Sequence, residues 1–344
     1  EMALQYSEEF NLPRMILINK MERENANFGR VLESIQTHME TRLLPLQLPW
    51  GEKADFKGVI DLLSMKAYAN EGKQAVDIPA EFQEQAEEAH LALVEAAAEG
   101  EDELLEKYFE NGDLTDKEIL RGLRSTVKDG NFIPVMVSAG AHKIGLVPLL
   151  KVLVNLMPSP ADVPSVVAKN SKGEEITLEP KDDGPLAAYV WKTTADPFVG
   201  KQTFFRVYSG KMIADERIWN SSKHEEERLA GMQVPHGKEG SPISVIHSGD
   251  IGLVAKLSVT TTGDTLCQKE NPLTLPKAEY PNALYRVAVF PKTQSDATKL
   301  STTLSRLCEE DMTLSWYNEP ATRQTILQGM GDQHIDVAVR RAEG

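Results

Sequence analysis

A chain of 344 residues can bury more than one core, and 41% hydrophobic beside 26% charged residues is the balance of ordinary globular domains. The net charge of −15 excludes a surface that grips nucleic acid by charge throughout, since phosphate neutralisation needs clustered Lys and Arg. No run approaches the roughly 18 apolar residues of a membrane span, no charged-then-apolar leader opens the chain, and Cys267 and Cys308 are too few for a disulfide framework, so the expectation is a cytoplasmic protein with reduced thiols and no membrane partner.

In chain order, "LPRMILINKMEREN" (residues 12–25) starts with Pro13 and enters an apolar run, residues 14–19, that reads as a short buried strand of a parallel sheet. Phe28, Val31, Leu32, Ile35 and Met39 recur near helical spacing and predict a helix over 25–40. A second strand, loop and helix follow much later: residues 132–137, the small-residue loop Ser138-Ala139-Gly140-Ala141, and residues 145–156, closed by Met157-Pro158-Ser159-Pro160. The two units resemble parts of one doubly wound sheet. Between them, residues 52–129 hold twenty acidic against nine basic residues, so roughly −11 of the total charge lies there. A strand with its turn at 58–66 and helices across 79–110 make that segment an inserted α/β subdomain, because a structureless loop of such length is unusual.

Past Pro160 the texture changes. Residues 158–165, "PSPADVPS", read as a stiff linker. Short β-rich runs at 186–193, 203–209, 243–247 and 253–260, separated by Gly and Pro turns, predict a small antiparallel barrel up to about residue 276. From Tyr285 the order is strand (285–290), helix (295–310), strand (313–317), strand (323–328) and helix from Asp332, a split βαβ sandwich without its final strand.

Asn19-Lys20-Met21-Glu22, directly after a strand, has a chemical rationale. Guanine offers an N1–H and a 2-amino group that one carboxylate accepts together, which adenine cannot match. In that scheme Glu22 reads the base edge, the Asn19 side chain braces the loop, and the Lys20 stem lies along the base plane. Ser138, Ala139 and Gly140 are the companions, a loop at the end of the next strand whose backbone N–H can donate to the guanine O6. Small residues also occur wherever a strand turns tightly into a helix, so each signal is weak alone and the pair is stronger. No GxxxxGK[ST] loop is present: the Gly-Lys pairs at Gly72, Gly200, Gly210 and Gly237 lack the following Ser or Thr. Asp55-Phe56-Lys57-Gly58 has the DxxG spacing of a γ-phosphate sensor but falls after the base loop and reads as coincidence. Without a phosphate cradle these residues by themselves should not hydrolyse a nucleotide. The seven His residues form no pair at metal-ligand spacing, neither GxSxG nor a Cys–His signature occurs, and no catalytic residue is singled out.

The order of segments resembles the middle of bacterial elongation factor G, the translational GTPase that drives ribosomal translocation. Asn19 to Glu22 with the following "RENANF" is similar to its base-reading loop and next helix, "DFKGVIDLLSMKA" (55–67) to the start of its inserted G-prime subdomain, and "LMPSPADVP" (156–164) to the linker out of its GTPase domain. "ADPFVGKQTFFRVYSG" (195–210) and "TTTGDTLC" (260–267) resemble its second-domain barrel, and "GMGDQHIDV" (329–337) a third-domain motif in which the family usually has Glu-Leu-His after the second Gly. The resemblance implies a multi-domain α/β plus β chain: the end of a P-loop-type GTPase α/β domain (1–42 and 129–160), the inserted α/β G-prime subdomain (43–128), a β-barrel second domain (161–278) and an incomplete ferredoxin-like α+β third domain (279–344).

It further implies a fragment of a parent that binds GTP or GDP, with Mg²⁺ in the full-length protein, while the fragment itself holds no nucleotide tightly. The implied partners are the ribosome, its RNA and proteins, with the stalk protein meeting the acidic insertion 52–129, and the implied state is a monomer. Glu22 stands where the family has Asp, and Ser138-Ala139-Gly140 aligns only loosely with the family's Gly-Ser-Ala, which points to a paralogue. The alternative function is a non-translocating ribosome-binding protection or remodelling factor of the tetracycline-resistance kind. A dinucleotide-fold metabolic enzyme is disfavoured by the missing GxGxxG.

Overall fold

The computed structural model describes residues 2–69, 74–196, 200–237 and 239–343, at position 196 the backbone alone. Residues 197–199 of the barrel motif, the Gly-Lys pair at 72 and Lys238 lie outside the described residues. The chain divides between Asp162 and Val163 into two compact units.

In the first unit, α1 (Met2–Glu9) precedes strand β1 (Ile16–Ile18) and α2 (Phe28–Gln36). α2 starts three residues later than its apolar spacing suggests because Asn27, in extended conformation, caps it by accepting the Arg30 N–H at 2.8 Å. Then come β2 (Arg42–Pro45), β3 (Gln47–Trp50), β4 (Gly58–Asp61), β5 (Lys66–Ala69) and β6 (Ala75–Val76). Helices α3 (Gln83–Ala98), α4 (Asp102–Asn111) and α5 (Asp116–Lys128), strand β7 (Phe132–Val137) and α6 (Leu146–Leu156) complete the unit.

β7, buried at every residue, is the middle of a three-stranded sheet ordered β1-β7-β2 and runs parallel to both neighbours. β2 runs across residue 43, where the insertion is expected to begin. β2 pairs with β7 from Arg42↔Phe132 to Pro45↔Val135, so Leu43 and Leu44 belong to the parallel sheet and the insertion leaves it only afterwards. Pro45 and Pro49 hide two strands in "RLLPLQLPW", since proline weakens any strand signal. The insertion is an antiparallel sheet β3-β4-β5-β6 with α3, α4 and α5, and its buried Leu48, Ile60, Leu93 and Leu123 share one continuous core with Ile18, Val135 and Leu156.

α5 crosses α3 closely because Gly122 has no side chain: a Cβ there would lie 2.0 Å from the Ala97 carbonyl oxygen and 3.0 Å from Leu104 Cδ1. Gly122→Val should destabilise the first unit by about 3 kcal/mol, as overpacking against backbone does. Urea unfolding checks this, and a loss below about 1 kcal/mol would show that the helices part without cost.

The second unit opens with β8 (Val166–Asn170) and β9 (Glu175–Leu178), followed by β10 (Ala187–Asp196), β11 (Gly200–Ser209), β12 (Met212–Ile213), β13 (Arg217–Asn220) and β14 (Glu225–Arg228). β15 (Gln233–His236), β16 (Glu239–Pro242), β17 (Val245–Ile246), β18 (Ile251–Ala255), β19 (Thr265–Cys267) and β20 (Leu273–Thr274) continue it. Eight of these strands form one antiparallel sheet ordered β14-β13-β19-β10-β11-β18-β15-β16 around Val190, Phe205, Val207, Ile218, Val254 and Leu266. β8, β9 and β20 make a small separate sheet, which the β-rich runs from residue 186 onward did not reveal. The TTTGD segment knots this region together. Buried Asp264 accepts from Asn220 Nδ2 at 3.0 Å and from the Thr261 N–H at 2.9 Å, and Glu227 accepts from the N–H groups of Val259 and Thr260, both at 3.1 Å.

The chain ends in β21 (Tyr285–Val289), α7 (Gln294–Glu310), β22 (Ser315–Glu319), β23 (Gln324–Gly329) and α8 (Asp332–Glu343). The sheet order is β21-β23-β22, antiparallel, over Leu304, Leu307, Leu327 and Ile335. The C-terminal end of α7 reaches β10: Thr193 Oγ1 donates to the Glu309 carbonyl at 2.8 Å, the Ala195 N–H donates to Glu310 Oε1 at 2.9 Å, and Lys201 Nζ lies 3.3 Å from Glu309 Oε2.

Both cysteines are free. Burial, reinforced by the Asp311 carboxylate, pushes the Cys308 thiol up to about 11, so at pH 8 the thiolate is scarce. Labelling of Cys308 by a disulfide reagent at pH 8 should run roughly two orders of magnitude slower than for a free cysteine. Labelling at the free-cysteine rate would show that the site is open.

Candidate functional site

β1 and β7 are adjacent and parallel, so the loops that follow them emerge side by side at the carboxyl edge of the sheet. The Ser138 N–H donates to the Ile18 carbonyl at 3.0 Å, and the Met21 N–H to the Ser138 carbonyl at 3.3 Å. Met21, almost fully buried, anchors the first loop in the core, and Lys20 bends it with φ +64°. One atom then joins the two loops. Asn19 Oδ1 accepts from Ser138 Oγ at 3.0 Å, the Gly140 N–H at 2.9 Å and the Lys20 N–H at 2.8 Å. Asn19, Lys20 and Glu22 are thus brought together with Ser138, Ala139 and Gly140, across about 120 residues of sequence.

The second loop folds back tightly. Ala139 and Ile144 form an isolated bridge, and Gly145 at φ +81° makes the return into α6, where a Cβ would lie 2.5 Å from the Val137 carbonyl oxygen. Only the position of this glycine before an apolar helix hinted at it.

Glu22 is the electrostatic oddity of the site. Its side chain is 17% exposed, Oε1 lies 3.6 Å from Arg23 Nε, and Oε2 is buried without a hydrogen-bond partner among the described residues. A buried carboxylate oxygen left unpaired is costly, and it suits a ligand that brings N–H donors. Lys20 is exposed, so its stem is free to lie along a planar group.

On the carboxylate side, the unpaired Glu22 oxygen is the acceptor that the guanine reading of the sequence requires. The O6 side differs from the reading of the sequence: the N–H groups of Ser138, Ala139 and Gly140 donate to Ile18 O, Ile144 O (3.1 Å) and Asn19 Oδ1 respectively. None of the three is free for O6 in this conformation, because the same short residues that let the loop turn tightly also let it satisfy its own donors.

Among the described residues no group of three or more His, Cys, Asp or Glu side chains is placed to hold a metal ion. Among the described residues no helix is long and apolar enough to cross a membrane. Two residues that no motif signalled also reach the loops: Gln47 Oε1 accepts the Val137 N–H at 3.2 Å, and Glu52 Oε1 accepts the Phe28 N–H at 3.0 Å. Both lie in sequence attributed wholly to the insertion.

Comparison with known proteins adds three findings. Residues 185–269 match the family described as Elongation factor G domain 2, and residues 280–343 match Elongation Factor G, domain III. A crystal structure of a protein from Thermus thermophilus superposes on the chain with a TM-score of 0.84 at 28% sequence identity, covering 99% of this chain and 49% of that one. The chain therefore spans about half the length of the solved structure it matches.

Proposed function

We propose a function from the premise that this chain is elongation-factor-G-like, with domains 2 and III of that factor following an α/β unit in sequence. It is a translation-elongation-factor-like chain, and the finer reading is a guanine-nucleotide-binding factor that docks on the ribosome in the cytoplasm, as a monomer, and promotes translocation. The observation that carries the nucleotide part is Asn19 Oδ1 joining the two loops beside the unpaired Glu22 oxygen. In that reading Glu22 holds the base edge, Lys20 covers its face, and Asn19 keeps the Ser138–Gly140 loop in place. GTP or GDP, with Mg²⁺ in the longer protein, would supply the phosphoryl chemistry. The 344 residues contain no GxxxxGK[ST] pattern, and the chain alone is expected to release no phosphate from GTP.

The acidic insertion supports a second contact. Glu84, Glu87, Glu88 and Glu95 are exposed on α3, and a negative helix steers toward a basic partner face such as the ribosomal stalk protein would have to present. Co-sedimentation of the chain with ribosomes at increasing salt tests the proposal. Pelleting at low salt, weakened when those four glutamates are reversed to Lys, is expected. A chain that stays in the supernatant at every salt concentration contradicts ribosome docking.

One observation favours a second reading. With all three loop N–H groups already taken, the chain also suits a ribosome-binding protection or remodelling module that makes no use of a base.

A further inference from the structure

We infer that the lead-in to the insertion, residues 46–53, positions both base-reading loops, with Gln47 and Glu52 as positioning residues; this rests on the base-site reading above. The β2–β7 ladder runs from Arg42↔Phe132 to Pro45↔Val135 and gains one more rung where the Leu46 N–H donates to the Val135 carbonyl at 2.9 Å. The backbone then departs, because Gln47 pairs with Asp61 in the antiparallel sheet of the insertion. The next N–H on that side of β7 belongs to Val137, the residue before Ser138. It is accepted by the Gln47 side chain at 3.2 Å, so an amide oxygen replaces the missing strand for one rung. Gln47 is 0% exposed, and its Nε2 has no partner among the described residues. An apolar residue would avoid that unpaired donor, so the bond to Val137 is the physical reason for an amide here.

The other loop is held from the same segment. Gly51, at φ +80°, makes a turn in which a Cβ would lie 2.1 Å from the Asp55 carbonyl oxygen. Beyond it, the Glu52 carboxylate accepts the first N–H of α2, where a negative charge also suits the helix terminus, and the Lys53 N–H donates to the Met21 carbonyl at 2.9 Å. Gln47 thus fixes the strand end that launches Ser138 to Gly140, while Glu52 and Lys53 fix the exit of the Asn19 to Glu22 loop. Displacement of the insertion would move both loops together.

Residue-resolved amide hydrogen exchange on the 344-residue chain tests this without a ligand. In Gln47→Leu the Val137 and Gly140 amides should exchange about tenfold faster, with Leu123 in α5 and Phe205 in the second unit unchanged. Glu52→Ala should accelerate the Phe28 amide in the same way, with recovery in Glu52→Gln, and it carries the test should Gln47→Leu fail to fold. Unchanged Val137, Gly140 and Phe28 amides overturn the inference, and so does uniform acceleration that includes Leu123. Guanosine is a separate arm. Guanosine-induced shifts at Gly140 that weaken in Gln47→Leu support the inference. Exchange effects without any guanosine response leave the positioning role standing and remove the base-site reading.

Discussion

Asp264→Ala should lower the stability of the second unit by about 3–5 kcal/mol, because it removes the shared acceptor of a buried hydrogen-bond network and leaves its donors short of partners. Asp264 is 2% exposed and Asn220 is 0% exposed. The carboxylate accepts from Asn220 Nδ2 and from the N–H and hydroxyl of Thr261, and Asn220 also donates to Thr260 Oγ1 at 3.0 Å. The backbone around it is engaged as well: the Val190 N–H donates to the Asp264 carbonyl at 2.9 Å and the Gly263 N–H to the Val190 carbonyl at 2.8 Å, tying the loop to β10. Loss of the carboxylate leaves the Asn220 amide and the Thr261 N–H under-satisfied.

Urea unfolding followed by tryptophan fluorescence checks this, with Trp191, Trp219 and Trp316 in the second unit as reporters. A companion Asn220→Ala and the double variant complete a cycle, and the double variant should lose clearly less than the sum of the singles. A loss below about 1 kcal/mol for Asp264→Ala, or strict additivity, would mean that the network is not a unit.

Asn19→Ala should cost the first unit about 2–3 kcal/mol, the sum of two or three hydrogen bonds of which the Ser138 hydroxyl is left fully buried. It should also release the Gly140 N–H. Asn19→Asp separates the two roles of the side chain, since a carboxylate still accepts from Ser138 Oγ and from Gly140 but offers no N–H of its own. The expected pattern is near-native stability for Asp, clear loss for Ala, and altered nucleoside response for both. Thermal unfolding of the two variants decides it: equal stability of Ala and wild type would show that Asn19 braces nothing.

The parts of this arrangement that the sequence made legible are those with short-range signals. β7 is an apolar run found at its expected residues, and α6 is a mostly apolar segment between Gly145 and Pro158 that begins one residue later than expected. The last strands fall within two residues of their expected places. β22 starts at Ser315 rather than 313 because the Asp311 carboxylate accepts the Thr313 N–H and hydroxyl at 2.9 and 2.6 Å, holding that residue in a turn. Elements fixed by distant partners stayed hidden. β2 and β3 contain prolines and are strands because β7 and β4 pair with them. The pairing of Asn19 with Ser138 and Gly140 was suggested by motif chemistry alone. The commitment of the Ser138 and Gly140 N–H groups, and the reach of Gln47 and Glu52, depend on contacts between residues 24 to 121 positions apart, which no periodicity records.

Asn19, Lys20 and Glu22 with the Ser138–Gly140 loop are proposed as a guanine-reading site. Its most direct test is a titration of the isotope-labelled chain with guanosine and, separately, adenosine, followed by amide chemical shifts. Saturable shifts at Asn19, Glu22 and Gly140 are expected with guanosine, much weaker ones with adenosine, and loss of the guanosine response in Asn19→Ala. Equal responses to the two nucleosides, or shifts confined to residues outside both loops, would contradict it.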